Sequence, residues 1–166
     1  MTSYQVGVAA EAFASALFTR CGFHVSVQYG ANQPGYDLIV EKEKKAFLVS
    51  VKGSQDGGWG LTQSHLKNAN YYKAIDDWIE KHGEHIIFCF VQFKGIRIVD
   101  MPQVFLATSF EIAKHLKNSG GGLGDTILHM KKTWVSGKRA GITDKIPDEW
   151  RFSKERVDTV LRLANK

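Results

Sequence analysis

The feature that most constrains the fold of this chain is a pair of apolar segments on either side of a short charged segment. The apolar segments run from Tyr36 to Glu41 and from Ala46 to Lys52, and Lys42-Glu43-Lys44-Lys45 lies between them. Two strand-like segments separated by a few polar residues predict a β-hairpin. If the four charged residues form the loop, Glu41 lies opposite Ala46, and the same register places Asp37 opposite Ser50.

This register determines where the polar side chains of the hairpin point. Side chains alternate between the two faces of a strand, so Asp37, Ser50 and Lys52 share one face. The other positions are mostly apolar, and a charge within a largely buried hairpin needs a partner or a metal ion. A loop of three or five residues would turn Asp37 to the opposite face, so the inference depends on the register.

An acid on one strand and a lysine on the next resemble the PD-(D/E)xK nuclease superfamily. Upstream, Gly7-Val8-Ala9-Ala10-Glu11 is similar to the first helix of that superfamily, with Glu11 as its acid. The chain departs from the pattern at Ser50, where the superfamily usually has Asp or Glu two residues before the lysine. Some type II restriction enzymes of the superfamily carry serine there and supply the carboxylate from a following helix. The resemblance covers roughly residues 7 to 80 and rests on short motifs.

The resemblance implies a single α/β domain over residues 1–166, with a central mixed β-sheet flanked by helices, the restriction-endonuclease-like fold. It also implies a nuclease that uses Mg²⁺ or Mn²⁺, with Glu11, Asp37 and the backbone carbonyl of Val51 as metal ligands. Lys52 would orient the attacking water and stabilise the developing charge, while Ser50 offers a hydroxyl without charge. The implied catalytic residues are Glu11, Asp37, Ser50 and Lys52. The implied substrate is a nucleic acid, with DNA favoured over RNA.

The carboxylate that Ser50 lacks has several candidate replacements further along the chain. The next predicted helix begins at Thr62 or Ser64 and ends near His82. Its first acid, Asp76, lies more than about three turns from the helix start, which is too far from the hairpin. Three nearer residues have side-chain oxygens and are the auxiliary candidates: Gln55, Asp56 and Gln63. Of these, only Asp56 carries a charge. For Gln63, the alternative to a role in the site is an ordinary surface glutamine at the start of a helix. For Glu11, the alternative to a metal ligand is a glutamate that faces solvent.

Two further features bear on a nucleic-acid partner. Trp59 lies in a glycine-rich loop and is either a base-stacking or wedge residue or a lid that packs onto the domain, the lid being favoured. From Lys131 to the C-terminus ten Lys and Arg accompany five Asp and Glu, so the net charge of +5 lies in this last segment. Such side chains are suited to phosphate contacts, although a solvated surface explains the same composition. The candidate nucleic-acid-binding residues are Trp59, Lys131, Lys132, Trp134, Lys138 and Arg139.

Hydrophobic periodicity and capping residues predict the remaining elements. A capping box at Thr2 begins the first helix, which ends before Gly22. A second capping box at Thr108 begins a short helix that runs through Lys117. Ser153 caps a C-terminal helix. Further strands are predicted at 24–28, 84–93, 96–99, 104–107 and 126–135, and irregular loops at 29–35 and 119–124.

Composition narrows the class of protein. A hydrophobic content of 43% and a charged content of 23% are ordinary for a globular domain. No segment approaches the roughly 18 apolar residues of a membrane span, and the N-terminus lacks a signal-peptide pattern. Cys21 and Cys89 are expected to be reduced and buried. We therefore expect a cytoplasmic protein without a membrane partner.

Two alternatives to an active nuclease stay open. The first is a nuclease-fold protein that has lost catalysis and binds nucleic acid or a protein partner, as an immunity or regulatory factor would. The second is an unrelated α/β domain in which Asp37 and Lys52 form a structural ion pair. The oligomeric state, including a homodimer, is open in every case.

Overall fold

The computed structural model describes residues 1–28, 35–83 and 85–165, and a five-stranded sheet organises them. Its strands are β1 (His24–Val27), β2 (Leu38–Lys42), β3 (Lys45–Ser54), β5 (Ile86–Gln92) and β6 (Gln103–Thr108). They lie in the order β1-β2-β3-β5-β6, with β3 and β5 parallel and the other neighbours antiparallel. Two small sheets pair β4 (Gly58–Gly60) with β7 (Ile127–His129) and β8 (Lys131–Thr133) with β9 (Thr143–Lys145).

Helices cover both faces of the central sheet. They are α1 (Ser3–Arg20), α2 (Tyr71–His82), α3 (Ser109–Gly122) and α4 (Lys154–Ala164). Helices α1 and α4 pack on one face, in a core that includes Val49, Val51 and Cys89. Helices α2 and α3 pack on the other face, against Phe88 and Phe90. The predicted fold class, a mixed sheet flanked by helices in one α/β domain, is confirmed.

Side-chain caps fix where three of the helices begin. The Thr2 hydroxyl accepts from the Gln5 backbone N–H and the Gln5 side chain accepts from the Thr2 backbone N–H, which is the predicted capping box. Thr108 forms the second predicted box at the start of α3, and the Ser153 hydroxyl accepts from the Arg156 backbone N–H at the start of α4. These helix starts are therefore dictated locally by the sequence.

The hairpin of β2 and β3 has the predicted register but a tighter turn. Glu41 pairs with Ala46, and the pairing continues one step further, to Lys42 opposite Lys45. The turn consists of Glu43 and Lys44, with φ angles of 54° and 62°. Positive φ at both positions is typical of the two-residue hairpin turns that match strand twist. The four-residue loop is thus shorter than predicted, while the pairing of the strands is unchanged.

Helix α2 begins later than predicted. It starts at Tyr71, with Asn70 as the capping residue, rather than at Thr62 or Ser64. The intervening Gln63–His65 forms a separate 3-10 turn, and Ala69 adopts a positive φ that interrupts a continuous helix. The spacing of apolar residues in this region therefore corresponds to a helix only from Tyr71 onward.

Two predicted strands are wrong in detail. Residues 96–99 form an exposed turn, in which Ile98 and Val99 face solvent and the backbone N–H of Asp100 donates to Arg97. The segment 126–135 divides into β7 and β8, which belong to different small sheets, because the backbone N–H of Met130 donates to Gly57 between them. The predicted loop at 29–35 falls, apart from Gly35, outside the described residues.

Two remaining expectations concern burial and membranes. Cys89 is fully buried in the core, whereas Cys21 is half-buried, and both are free thiols. Burial raises the pKa of the Cys89 thiol far above its usual range, so this thiol stays protonated. In the described part of the chain, every helix is too short or too polar to cross a membrane.

Gly53 allows α1 to lie directly against β3. A Cβ atom built at Gly53 would lie 2.8 Å from both the Cγ1 and the backbone O of Val6, and 3.0 Å from the Cβ of Ala10. Side-chain atoms essentially cannot approach this closely, so a glycine is needed at the contact. The contact matters for the site because Glu11 follows Ala10 on the same helix.

Replacing Gly53 by alanine is predicted to lower the free energy of unfolding by about 1–3 kcal/mol, because the new methyl group overlaps the Val6 backbone. Denaturant unfolding of the wild type and the variant measures this difference. Gly7→Ala is the matched control, since a Cβ atom there meets no atom within 4 Å. Equal stability of Gly53→Ala and the wild type would contradict the close packing of α1.

Candidate active site

The hairpin register places Asp37 beside the strand that carries Ser50 and Lys52. Leu38 pairs with Val49, so Asp37, one residue earlier, lies opposite Ser50. The Asp37 Oδ2 atom accepts a hydrogen bond from the backbone N–H of Val51 at 2.6 Å and lies 3.3 Å from the Ser50 hydroxyl, which also donates to it. The carboxylate is therefore held across the hairpin by one strong bond and one longer bond.

Ser50 and Lys52 occupy the sheet face that α2 and α3 cover further along. In the parallel pairing of β3 with β5, Ser50 lies beside Phe88 and Lys52 beside Phe90. Phe88 and Phe90 are fully buried by the helices, whereas Lys52 and Asp37 are only half-buried. The polar part of this face therefore remains open to a ligand.

Lys52 lies near the carboxylates without being neutralised by them. In the described part of the chain, its ammonium takes part in no ion pair and no side-chain hydrogen bond. Its backbone carbonyl accepts a hydrogen bond of 2.9 Å from the Trp59 indole, which fixes the end of β3. The structural ion pair between Asp37 and Lys52 that an unrelated α/β domain would use is therefore not formed among the described residues.

Glu11 reaches the same region from α1. Partial burial raises the pKa of the Glu11 carboxyl, the negative charge of Asp37 raises it further, and the positive charge of Lys52 lowers it. These influences show that the three side chains are electrostatic neighbours, although they lie on three different elements. The folded protein therefore binds a proton at Glu11 more tightly than the unfolded chain, and it loses stability as pH rises through the raised pKa.

The donor set suits a hard divalent cation but is small. Two neighbouring carboxylates, Glu11 and Asp37, repel each other, and Mg²⁺ or Mn²⁺ prefers such oxygens while keeping several of its own waters. Among residues 1–28, 35–83 and 85–165, no group of three or more His, Cys, Asp and Glu is placed to hold a metal ion. Ser50 is 2% exposed and donates to Asp37, so it adds a hydroxyl to the site and no charge.

The three auxiliary candidates are engaged elsewhere to different degrees. Gln55 is tied to the N-terminus, since its Nε2 donates to the Met1 carbonyl at 2.8 Å. The Asp56 carboxylate accepts from the Ser54 hydroxyl and from the Gly58 backbone N–H, and these bonds hold its pKa below the usual range. The Gln63 side chain folds over Gly60. Within the described residues Asp56, the one acid of the three, does not join Glu11 and Asp37 in a metal-binding group.

Trp59 packs into the domain, which agrees with the favoured prediction that it packs onto the domain and does not stack on a base. It is 3% exposed, its ring lies 5.2 Å from the Phe90 ring, and its indole N–H donates to Lys52. A buried ring presents no face to a nucleobase, so assigning Trp59 to nucleic-acid binding requires correction. The sequence did not show this, because a lone tryptophan among glycines has no periodicity that reveals its partner.

The basic C-terminal residues are divided between structural and exposed positions. The Lys132 Nζ lies 3.7 Å and the Arg139 Cζ 4.4 Å from the centre of the Trp134 ring. The indole N–H of Trp134 donates to Asp144 at 2.6 Å, and Arg139 donates to the Gly124 carbonyl at 2.7 Å. Trp134 and Arg139 therefore make contacts within this region. The Trp134 ring contacts the cations of Lys132 and Arg139, as cation–π interactions do, instead of being free to stack on a nucleobase.

The remaining two lysines of the set are more accessible. Lys131 is exposed on β8, and Lys138 is exposed in a 3-10 turn. Lys131 also lines a pocket together with Lys132. The basic segment thus contributes free charge at some positions and internal contacts at others, a division that the composition did not reveal.

Comparison with known proteins supports the fold. No protein-family model and no curated protein matches the chain. The solved structure of a bacterial homing endonuclease, I-Ssp6803I, is similar to it, with a TM-score of 0.50 over 98% of this chain and 95% of that chain. Because the sequence identity is 12%, the likeness shows a nuclease-like fold and carries no residue roles.

The pKa of Glu11 tests this geometry independently of any activity. Asp37→Asn is predicted to lower the Glu11 pKa, because it removes a neighbouring negative charge, and Lys52→Met is predicted to raise it. The carboxyl resonance of Glu11, followed by NMR through a pH titration, measures both shifts. Lys45→Met, at the hairpin turn, is the control and should leave the value unchanged. An unchanged Glu11 pKa in both site variants would show that the three side chains lie apart.

Proposed function

We propose that this protein is a Mg²⁺- or Mn²⁺-dependent nuclease of the PD-(D/E)xK superfamily that hydrolyses phosphodiester bonds, with DNA as its substrate. The observation that carries the proposal is the convergence of Glu11 on α1, Asp37 just before β2 and Lys52 on β3, whose ammonium makes no ion pair within residues 1–28, 35–83 and 85–165. Lys52 is half-buried and forms no ion pair with either carboxylate, so its ammonium is available to an anionic ligand. The nuclease-like fold is consistent with that chemistry.

Each residue has a definite role in this proposal. Asp37 and Glu11 would hold the metal ion together with the backbone carbonyl of Val51, and the ion, when bound, would supply a water of lowered pKa and neutralise the leaving oxygen. The hydrogen bond from the Val51 N–H keeps the Asp37 carboxylate oriented along the strand. Lys52 orients the attacking water and stabilises negative charge that develops on the phosphate.

Ser50 tunes the site toward weak metal binding. Its hydroxyl donates to Asp37, which withdraws electron density from the carboxylate, and it adds no charge of its own. With two carboxylates in place of three, the affinity for Mg²⁺ is lower than at a complete acidic triad.

A groove of about 790 Å³ provides space for a nucleic-acid strand next to the site. It runs along α1 and is lined by Tyr4, Gly7, Val8 and Glu11 among others. Tyr4 is 80% exposed and offers an aromatic ring without a core role. A strand lying in this groove brings its phosphates past the Glu11 carboxylate.

The second candidate is a nuclease-fold protein that no longer cleaves and instead binds nucleic acid or a protein partner. The buried Ser50 favours it, because the third carboxylate of the motif is missing and no described residue replaces it. This candidate requires neither metal binding nor cleavage that depends on Asp37. The two functions therefore separate in one set of assays.

Asp37→Ala and Lys52→Ala are each predicted to reduce cleavage by at least about 100-fold, because each removes a charge that acts on the reacting phosphate. Plasmid, linear duplex and single-stranded substrates are incubated with Mg²⁺ or Mn²⁺, and EDTA should abolish the reaction. Asp158→Ala and Lys154→Ala, exposed changes on α4, are the matched controls and should cleave at the wild-type rate. Wild-type turnover in either site variant would refute the assignment. Absence of cleavage by the wild type under all conditions would favour the second candidate.

A further inference from the structure

A second polar pocket, of about 500 Å³, lies next to the candidate active site. The turn at Asp56 and Gly58 lines both this pocket and the cleft that contains Lys52. The pocket collects residues from the ends of β5 and β6 and from the two small sheets. Its lining residues with charge or hydrogen-bonding capacity are Asp56, Gln92, Lys94, Gln103, His129, Lys131 and Lys132.

The charge of this pocket is positive. Lys94, Lys131 and Lys132 contribute three ammonium groups, and Asp56 is the acidic residue among the lining residues. The Asp56 carboxylate is engaged by Ser54 and by the Gly58 backbone N–H, so part of its acceptor capacity is used within the turn. An anionic ligand is therefore favoured over a cation.

A buried amide in the pocket lining lacks a partner. Gln92 is 1% exposed, and its Oε1 accepts a hydrogen bond of 2.9 Å from the backbone N–H of Lys94. This bond fixes which end of the amide is the donor, and the donor, Nε2, has no hydrogen-bond partner among the described residues. Unsatisfied buried donors are rare in folded proteins, and this one lies at a basic pocket.

Glycines hold the lysine and histidine side chains at the rim. Gly57 has a φ of +99°, and a Cβ atom there would lie 3.3 Å from the Lys94 Cδ and Nζ, so the lysine side chain crosses directly over the glycine. The Lys94 ammonium then donates to the Asp56 carbonyl at 3.1 Å. A Cβ atom at Gly58 would lie 3.4 Å from the His129 Nδ1. The absence of side chains at Gly57 and Gly58 thus leaves room for Lys94 and His129 at the pocket.

Lys132 is also oriented by its neighbours. Its ammonium lies over the Trp134 ring and 3.4 Å from the His129 Nε2, and that Nε2 lies 3.2 Å from the Oδ2 of buried Asp125. A lysine placed between an aromatic face and an imidazole loses little side-chain freedom when it binds an anion. Lys131, one residue earlier, remains exposed at the pocket.

We propose that this pocket binds a phosphate group, and that the phosphate belongs to the nucleic-acid strand that enters the site of Glu11, Asp37 and Lys52. The identity of the strand rests on the proposed nuclease function, whereas the preference for phosphate rests on the pocket itself. Phosphate oxygens accept from ammonium, imidazole and amide donors together. The described residues supply ammonium donors in Lys94 and Lys131 and an amide donor in Gln92, and the His129 ring lines the same pocket.

The geometry of the sheet places the pocket at a useful distance from Lys52. Lys52 pairs with Phe90, and Ser54 pairs with Gln92, so Gln92 lies one strand across and two residues along from Lys52 on the same face. From the spacing of strands and of residues along them, the two Cα atoms are about 8 Å apart. A strand whose scissile phosphate lies at Lys52 therefore reaches the pocket with a nearby phosphate, which fixes its path.

Salt-dependent DNA binding tests the proposal in EDTA, where no metal-dependent cleavage occurs. The double variant Lys94→Ala with Lys131→Ala should lower the slope of log affinity against log salt by about 0.9, because the contact with one phosphate is lost. A fourfold rise in salt should then weaken its binding about threefold to fourfold less than that of the wild type. Lys45→Ala with Lys154→Ala removes the same charge at exposed sites outside the pocket and should keep the wild-type slope. An unchanged slope in the pocket variant, or an equal fall in both, overturns the proposal.

Gln92→Glu tests the buried amide. It keeps an oxygen that accepts from Lys94 but replaces the donor by a carboxylate, so binding of both duplex DNA and inorganic phosphate should weaken at least about tenfold. Circular dichroism checks that the variant is folded, and if it is not, the lysine variants alone decide. Wild-type affinity in folded Gln92→Glu would remove the amide from the site and overturn the pocket as described.

Two further outcomes separate the phosphate source and the nuclease function. Calorimetric binding of inorganic phosphate that depends on Lys94 and Lys131, with an unchanged slope on DNA, overturns the nucleic-acid strand as the source. A pocket-specific fall in slope without cleavage under any condition supports the pocket while refuting the nuclease. Cleavage that depends on Asp37, with identical slopes for all variants, supports the nuclease and overturns the pocket.

Discussion

The antiparallel pairing of β2 with β3 is the constraint on which the rest of the site depends. A slip of one residue would move every side chain of a strand to the opposite face, so the pairing of Glu41 with Ala46 places Asp37 and Lys52 on one face. The hydrogen bond from the Val51 N–H to Asp37 then ties the site to the strand itself. Helix α1 completes the arrangement, because Gly53 lets it approach β3 closely enough to bring Glu11 near the two hairpin residues.

The sequence predicted local features well and distant packing poorly. The hairpin register and the capping boxes at Thr2 and Thr108 depend on residues a few positions apart, which a pattern can contain. The burial of Trp59 and the need for a glycine at position 53 depend on residues distant in sequence. The phosphate pocket is the extreme case, since Gln92 and His129 come from separate segments and neither belongs to a motif. Motif spacing could therefore indicate the acid and lysine site, whereas only the folded sheet brings the pocket residues together.

The electrostatics of the site have a cost in stability that a ligand would relieve. Two carboxylates lie close enough for one to raise the pKa of the other, and Lys52 offsets this only in part. A residue kept in an unfavourable environment is typical of a functional site, where stability is exchanged for binding capacity. A divalent cation between Glu11 and Asp37 would remove the repulsion, and a phosphate beside Lys52 would partner the free ammonium. Metal and phosphate are therefore linked ligands of one surface in the proposed function.

Calorimetric titration of Mn²⁺ into the wild type and into Asp37→Asn is the measurement that tests the central claim most directly. The substitution keeps the size and much of the hydrogen bonding of the side chain but removes the charge that would hold the ion. The account predicts saturable binding by the wild type and a loss of affinity of at least about tenfold in Asp37→Asn. Binding of equal strength in both proteins, or no binding by the wild type, would contradict a metal site built on Asp37.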